Sequence, residues 1–183
     1  FVLLAFGSIK PYKGVDILIR ALAQLPAELR SRIQVVIAGN PGGLEEELRR
    51  LADEIGVADS IQWKLGFVPD EEIPGLFARS HAAVFPYREI DASGALMTAL
   101  PYGKAIIASR LGLFAELLTD GETAHLVEPE DPAALAQAIT DVAGDPSAAQ
   151  QMGRRAAALA RDVLSWDNIA RLTLEAYEAA RSR

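Results

Sequence analysis

The sequence has 183 residues and a net charge of −7, from 18 Lys and Arg against 25 Asp and Glu, and half of it is hydrophobic. This is ample apolar material for one sizeable domain and far from a disordered composition, while the acidic balance argues against nucleic acid or an anionic membrane as the main partner. Cysteine is absent and His81 and His125 are far apart, which excludes disulfides, thiolate nucleophiles and Cys-type zinc sites and disfavours a histidine metal cluster.

No apolar run approaches the ~20 residues needed to span a bilayer, and no signal-like start is present, so a cytoplasmic location is expected. The first residue, Phe1, stands inside an apolar run with no initiator Met, the reading expected of a piece of a longer protein. Residues 1–6 are apolar and end at Gly7, the pattern of a parallel strand covered on both faces. Val15, Leu18, Ile19, Leu22 and Leu25 then recur at helical spacing until Pro26. A second apolar run, 33–38, stops at Gly39, and a helix is expected over 44–55, with Glu45, Glu46 and Glu47 at its start and Arg49 and Arg50 later, the order the helix dipole favours.

Residues 60–65 predict a third strand, ended by Gly66, with Asp70 as cap of a helix reaching Arg79. A fourth strand over 82–85 ends at Pro86, and Asp91 or Ser93 starts a helix running to Gly103. A fifth strand over 105–108 precedes a short helix over 114–118, and a sixth lies at 124–127. Asp131 followed by Pro132 is a strong helix start, predicting a helix to about Ala143. A helical tail, 147–183, follows, broken at Ser165-Trp166-Asp167. Its apolar positions Ile169, Leu172, Leu174 and Tyr177 are expected to pack on this domain or on another part of a longer protein, and Trp63 and Trp166 to be packing residues. Strands alternating with helices in this way give one α/β domain, a Rossmann-like three-layer fold with a parallel sheet of about six strands.

Open parallel sheets bind ligands outside the carboxyl ends of their strands, where strand order reverses. Two loops there join small or cationic residues to a helix start: Gly7-Ser8-Ile9-Lys10-Pro11-Tyr12-Lys13-Gly14 and Pro86-Tyr87-Arg88-Glu89-Ile90-Asp91-Ala92-Ser93-Gly94. Free backbone N–H groups at a helix start receive phosphate oxygens. A lone loop lysine most often only keeps a surface solvated. Lys10 and Lys13, set between a strand-ending and a helix-starting glycine, point instead to an anion. Ser93-Gly94 reads as an ordinary N-cap and, in a site, as a helix start that phosphate can approach closely. Glu89 and Asp91 are solvated loop acids or, in a binding pocket, acceptors for ligand hydroxyls. The glycines around Gly39 do not form the dinucleotide fingerprint, and no P-loop, nucleophile elbow or metalloprotease motif occurs.

With these loops in place, the sequence resembles the C-terminal, nucleotide-sugar-binding domain of a GT-B glycosyltransferase of the glycosyl transferases group 1 (family 4) type. The likeness covers essentially the whole chain and rests on ordered pieces: F-G-S-I-K-P-Y-K-G-V-D-I-L-I-R-A, V-V-I-A-G, L-G-F-V-P-D-E-E-I-P-G-L-F, F-P-Y-R-E-I-D-A-S-G, Y-G-K-A-I-I-A-S and D-G-E-T-A-H-L-V-E-P-E-D-P. It implies that Lys13 contacts the donor diphosphate, that Ser93 and Gly94 present N–H groups to it, and that Glu89 touches the transferred sugar. Gly7, Ser8, Lys10, Gly39, Thr98 and Glu116 would complete the donor site, with the nucleobase near Phe67 and Val68. Ser8 stands where the family often has Arg, Met97 and Thr98 occupy the region of the second glutamate of an E-x7-E pattern, and Lys104 is followed by Ala105 rather than Pro.

The resemblance implies transfer of a sugar from a nucleoside diphosphate to an unknown acceptor, with retention and without a metal or other cofactor. The nucleotide sugar and an N-terminal acceptor domain outside this sequence are the expected partners, with at most peripheral membrane contact through that domain. Alone, the fragment is expected to be nearly inactive. Two alternatives stand beside this reading: a nucleotide-sugar epimerase of the same architecture, and a degenerate donor domain acting as a scaffold.

Overall fold

The computed structural model describes residues 1–181; Ser182 and Arg183, the end of the expected tail, lie outside the described residues. Strands β1 (Val2–Phe6), β2 (Gln34–Gly39), β3 (Ile61–Leu65), β4 (Ala82–Phe85), β5 (Ala105–Ser109) and β6 (His125–Val127) form one sheet in the order β3-β2-β1-β4-β5-β6. Every pairing is parallel, with Leu3 beside both Val35 and Ala82. Parallel neighbours need crossovers, which the helices between the strands provide: α1 (Val15–Gln24), α2 (Ala27–Arg30), α3 (Glu45–Glu54), α4 (Ile73–Arg79), α5 (Gly94–Ala99) and α6 (Gly112–Leu117); α7 (Pro132–Gly144) comes after the last strand. Then α8 (Pro146–Ala158), a π turn (Leu159–Val163) and α9 (Trp166–Arg181) follow. The architecture is the Rossmann-like α/β fold that the strand–helix alternation predicts.

Alternate residues of each strand face opposite layers. Leu3, Val35, Ile37, Val84 and Ile107 pack with Leu18, Leu22, Leu48 and Ile139 in one core. Leu4, Ala83, Phe85, Ile106 and Ala108 pack with Phe77, Leu96 and Phe114 in the other. Both cores are fully buried, so the sheet is a rigid platform for its loops.

Several expected boundaries move. Asp70 caps no helix; residues Asp70–Glu72 form a 3-10 turn and α4 begins at Ile73. The helix expected to reach Gly103 stops at Ala99, because Pro101 has no N–H to continue it and Leu100–Tyr102 tightens into another 3-10 turn. At α7 the expectation holds: one Asp131 oxygen accepts the Ala133 and Ala134 N–H groups, each at 2.9 Å. In the tail the packing expected of Trp166 fails, and the apolar positions of α9 do not fold onto this domain, one of their two expected places. Trp166 is 84% exposed, and Ile169, Leu172, Leu174 and Tyr177 are exposed as well, so α9 buries no residue against this domain. Trp63 does pack on the core, under the guanidinium of Arg49.

Candidate functional site

Strand order reverses between β1 and β4, which pair directly, so the loops after these strands leave the same rim side by side. At Gly7 the chain turns with φ 109, and a β-carbon there would stand 3.1 Å from Lys13 Nζ and 3.3 Å from the Ala95 β-carbon. The end of β1, the head of Lys13 and the first turn of α5 therefore meet at one point. Gly14 (φ 64) lets the two loops touch by backbone, since a β-carbon would stand only 1.9 Å from the Pro86 carbonyl oxygen.

The first turn of α5 is only partly satisfied from within. Ser93 is buried, and its Oγ accepts the Leu96 N–H at 3.1 Å. The Met97 N–H bonds the Ser93 carbonyl, which leaves the Gly94 and Ala95 N–H groups with no protein acceptor among the described residues. Nothing lies within 4 Å of a β-carbon built on Gly94, so an incoming oxygen can reach these donors. Two converging N–H groups and an ammonium make a site for an anion.

Lys13 is half-buried, and burial, helped by the charge of Lys10, lowers its pKa from the ordinary 10.5. Its Nζ lies 5.3 Å from the ring centroid of Tyr87, a cation–π contact. Tyr87 packs against Phe114 and Phe85, and burial pushes its hydroxyl up to about 12. That hydroxyl is buried without a hydrogen-bond partner; Ser93 faces it, but the pair does not reach hydrogen-bond geometry.

The remaining expected residues divide into those beside this point and those away from it. Gly39 adjoins Gly7 at the end of β2 and accepts the Gly66 N–H at 3.0 Å. Lys10 Nζ reaches over the glycine loop after β2, 3.9 Å from a β-carbon built on Gly42, while Ser8 is exposed at the rim. Glu89 and Asp91 line an open hollow of about 360 Å³ with Tyr12, Ile90 and Ala92. Thr98 stands one turn along α5, its hydroxyl donating to the Gly94 carbonyl at 2.9 Å. Phe67 is 85% exposed on the loop after β3, at the far side of β2, and Val68 is buried beneath it. Glu116 is exposed on α6 and makes no hydrogen bond or ion pair among the described residues.

Sequence reasoning passed over Arg88 and Asp16. Arg88 forms a bidentate pair with Asp16 at 2.9 and 2.7 Å, donates to the Pro11 carbonyl at 2.8 Å, and donates through Nε to Glu130 at 3.0 Å. Burial alone would raise the Asp16 pKa; the hydrogen bonds and charge of Arg88 outweigh it and hold the carboxyl below its ordinary value of 3.8. Glu130, at φ 58, is the sole non-glycine residue with positive φ among the described residues. The available signal was weak: one acid in K-G-V-D and one arginine in F-P-Y-R-E, 72 residues apart.

Among the described residues no three His, Asp or Glu side chains gather as metal ligands, and no helix is long and apolar enough to cross a membrane. A wider hollow, about 690 Å³, lies at the other end of the strands, lined by His81, Lys104 and Arg154 among others. There His81 accepts the Val2 N–H at 2.9 Å and stacks on Phe1.

A doubly wound parallel sheet with a lysine and unpaired helix N–H groups at its switch point defines a Rossmann-like domain. The family model described as "Glycosyl transferases group 1" matches residues 1–159, and the chain belongs to that family. It is 34% identical over 181 residues to the D-inositol 3-phosphate glycosyltransferase of Streptomyces avermitilis, covering 95% of this chain and 39% of that protein. It is 32% identical over 174 residues to the MMP alpha-(1->4)-mannosyltransferase of Mycolicibacterium hassiacum, covering 94% and 41%. Among solved structures, Anabaena Alr3699/HepE in complex with UDP superposes with a TM-score of 0.86 at 25% identity, over 98% of this chain and 49% of that one. The C-terminal domain of the Francisella tularensis group 1 glycosyl transferase LpcC shares the fold, with a TM-score of 0.79 over 91% of this chain and 87% of that domain.

Proposed function

We propose that this chain is the donor-binding domain of a glycosyltransferase, taking a nucleoside diphosphate sugar at the carboxyl rim and presenting it to an acceptor held by another part of a longer protein. The observation that carries the reading is the convergence of Gly7, Lys13 and the first turn of α5 at the β1–β4 switch point, in a chain of this family. The UDP held by the Anabaena relative supports the donor class. As the sugar–phosphate bond breaks, positive charge grows on the sugar and negative charge on the departing diphosphate. Lys13 and the Gly94 and Ala95 N–H groups, fixed before the reaction, stabilise the departing charge, and Lys10 adds to the field. This is the work a divalent ion does elsewhere, so the reading takes transfer to proceed without one, and with retention. Glu89, on the rim hollow, is assigned to the sugar.

A second reading has a specific observation behind it. Met97 or Thr98 stands in the place of the second glutamate of the E-x7-E pattern and Ser8 in that of an arginine, so a donor domain that binds weakly and serves as a scaffold is the rival. An epimerase has less support, because His81 is committed at the opposite end of the strands. Calorimetric titration with UDP-, GDP- and ADP-sugars decides between the donor domain and the scaffold. The proposal expects one nucleoside diphosphate to bind and Lys13→Ala to weaken it by about 1.5–3 kcal/mol, the scale of a charge-assisted hydrogen bond. Failure of all three to bind at millimolar concentration favours the scaffold.

A further inference from the structure

We infer that Arg88 is a positioning residue that preorganises Lys13 for the diphosphate, by gripping the chain on both sides of it. The inference rests on the reading of Lys13 as the diphosphate contact. Before Lys13, the Arg88 guanidinium holds the Pro11 carbonyl at 2.8 Å, and the Arg88 main-chain N–H holds the Tyr12 carbonyl at 2.7 Å. After Lys13, the same guanidinium holds both oxygens of Asp16, at the start of α1. The residue in front of Arg88, Tyr87, lies under the Lys13 ammonium. One short stretch of the β4–α5 loop thus fixes the lysine loop by its ends and its head.

Nothing simpler explains why this arginine is spent here. Its Nε and terminal nitrogens make contacts to three separate partners, and the third, Glu130, belongs to the loop between β6 and α7. A lysine, with three donors at a single nitrogen, cannot reproduce that fork. Glu130 keeps its carboxylate on Arg88 while its backbone is in the left-handed region, which costs energy for a residue with a β-carbon. Strain retained at a contact of this kind marks a geometry that the surrounding loops over-determine. Arg88 also holds Lys13 where burial disfavours its charge, so a loop released from the clamp would move the ammonium into water.

The test pairs a binding measurement with one that needs no nucleotide. In protein labelled at lysine Cε, the Lys13 titration is followed by NMR in wild type and in Arg88→Lys; the inference expects the depressed Lys13 pKa to rise toward 10.5. For the nucleoside diphosphate that wild type binds, Arg88→Lys should weaken affinity about fivefold to tenfold. In the Lys13→Ala background the same change should cost almost nothing, because the group it positions is gone. An unchanged Lys13 titration, or an affinity loss that adds in full to that of Lys13→Ala, overturns the inference. If wild type binds no nucleotide, the proposed function fails while the Lys13 titration still judges the clamp. Should Arg88→Lys fail to fold, Asp16→Asn, which removes only the partner of the fork, makes the same measurements.

Discussion

The two ends of the parallel strands carry different kinds of surface. At the amino ends lies a hollow of about 690 Å³, lined by His81, Lys104 and Arg154, yet His81 is spent on the Val2 N–H and on stacking with Phe1. At the carboxyl ends the concavity is smaller, about 360 Å³, but beside it backbone donors lie unpaired and a lysine is held against its own solvation. The proposed donor site follows the second pattern. Concavity measures what the packing leaves over, whereas a half-buried ammonium beside unpaired N–H groups is a cost that a bound anion would offset. The parallel sheet itself sets this asymmetry, because only its carboxyl ends feed helix N-termini.

The strongest way to break this contrast is to remove one lysine from each end. Lys13→Ala is expected to lose about 1.5–3 kcal/mol of diphosphate affinity, whereas Lys104→Ala should leave calorimetric affinity unchanged. Equal losses would erase the distinction. The Lys13 pKa also gives the pH dependence its sign. The charged lysine binds the diphosphate, so affinity should fall as pH rises through the lowered Lys13 value, below 10.5.

Next in size is the clamp. Asp16→Asn should cost about 1.5–3 kcal/mol of stability at neutral pH, the worth of hydrogen bonds to a charged group, as read by denaturant unfolding. The Asp16 pKa is lower in the fold than its ordinary 3.8, so the stability it contributes is present in full above that pH. It is lost as the pH falls through the lower folded value, and the difference between wild type and Asp16→Asn should close over that acid range. A difference that persists below it would mean that the ion pair is not its source.

Tyr87→Phe sharpens the contrast differently. The hydroxyl is buried and unpartnered, so its removal should raise stability by about 1 kcal/mol with no loss of diphosphate affinity. A loss of affinity would show that a ligand uses that hydroxyl. Smallest of all, Trp166→Ser on the exposed α9 should shift the stability of this chain by less than about 0.5 kcal/mol in a thermal melt.

Much of the fold was legible because its signals are local. Apolar runs ended by Gly7, Gly39 and Gly66 mark strands buried on both faces, and Asp131-Pro132 marks a helix start; both are readable within a few residues. The paired loops were legible from lysine placement and the switch-point rule, which together put Lys13 and Gly94 at one rim. What escaped needed distance. The Arg88–Asp16 pair joins positions 72 apart, and no periodicity records a contact of that span. The short helix α2 was missed because its four residues carry too little pattern. The place of the tail was legible only as a choice between two. An apolar stripe at Ile169, Leu172 and Tyr177 does not say what covers it, and among the described residues the sheet does not.

The central claim is that a diphosphate is gripped between Lys13 and the first turn of α5. A crystal structure of this chain soaked with the nucleoside diphosphate that binds best tests it directly. The account predicts phosphate oxygens within hydrogen-bond reach of Lys13 Nζ and of the Gly94 and Ala95 N–H groups. A diphosphate lodged beside Lys104 and Arg154 at the opposite end of the strands, with the Lys13 loop untouched, would contradict it.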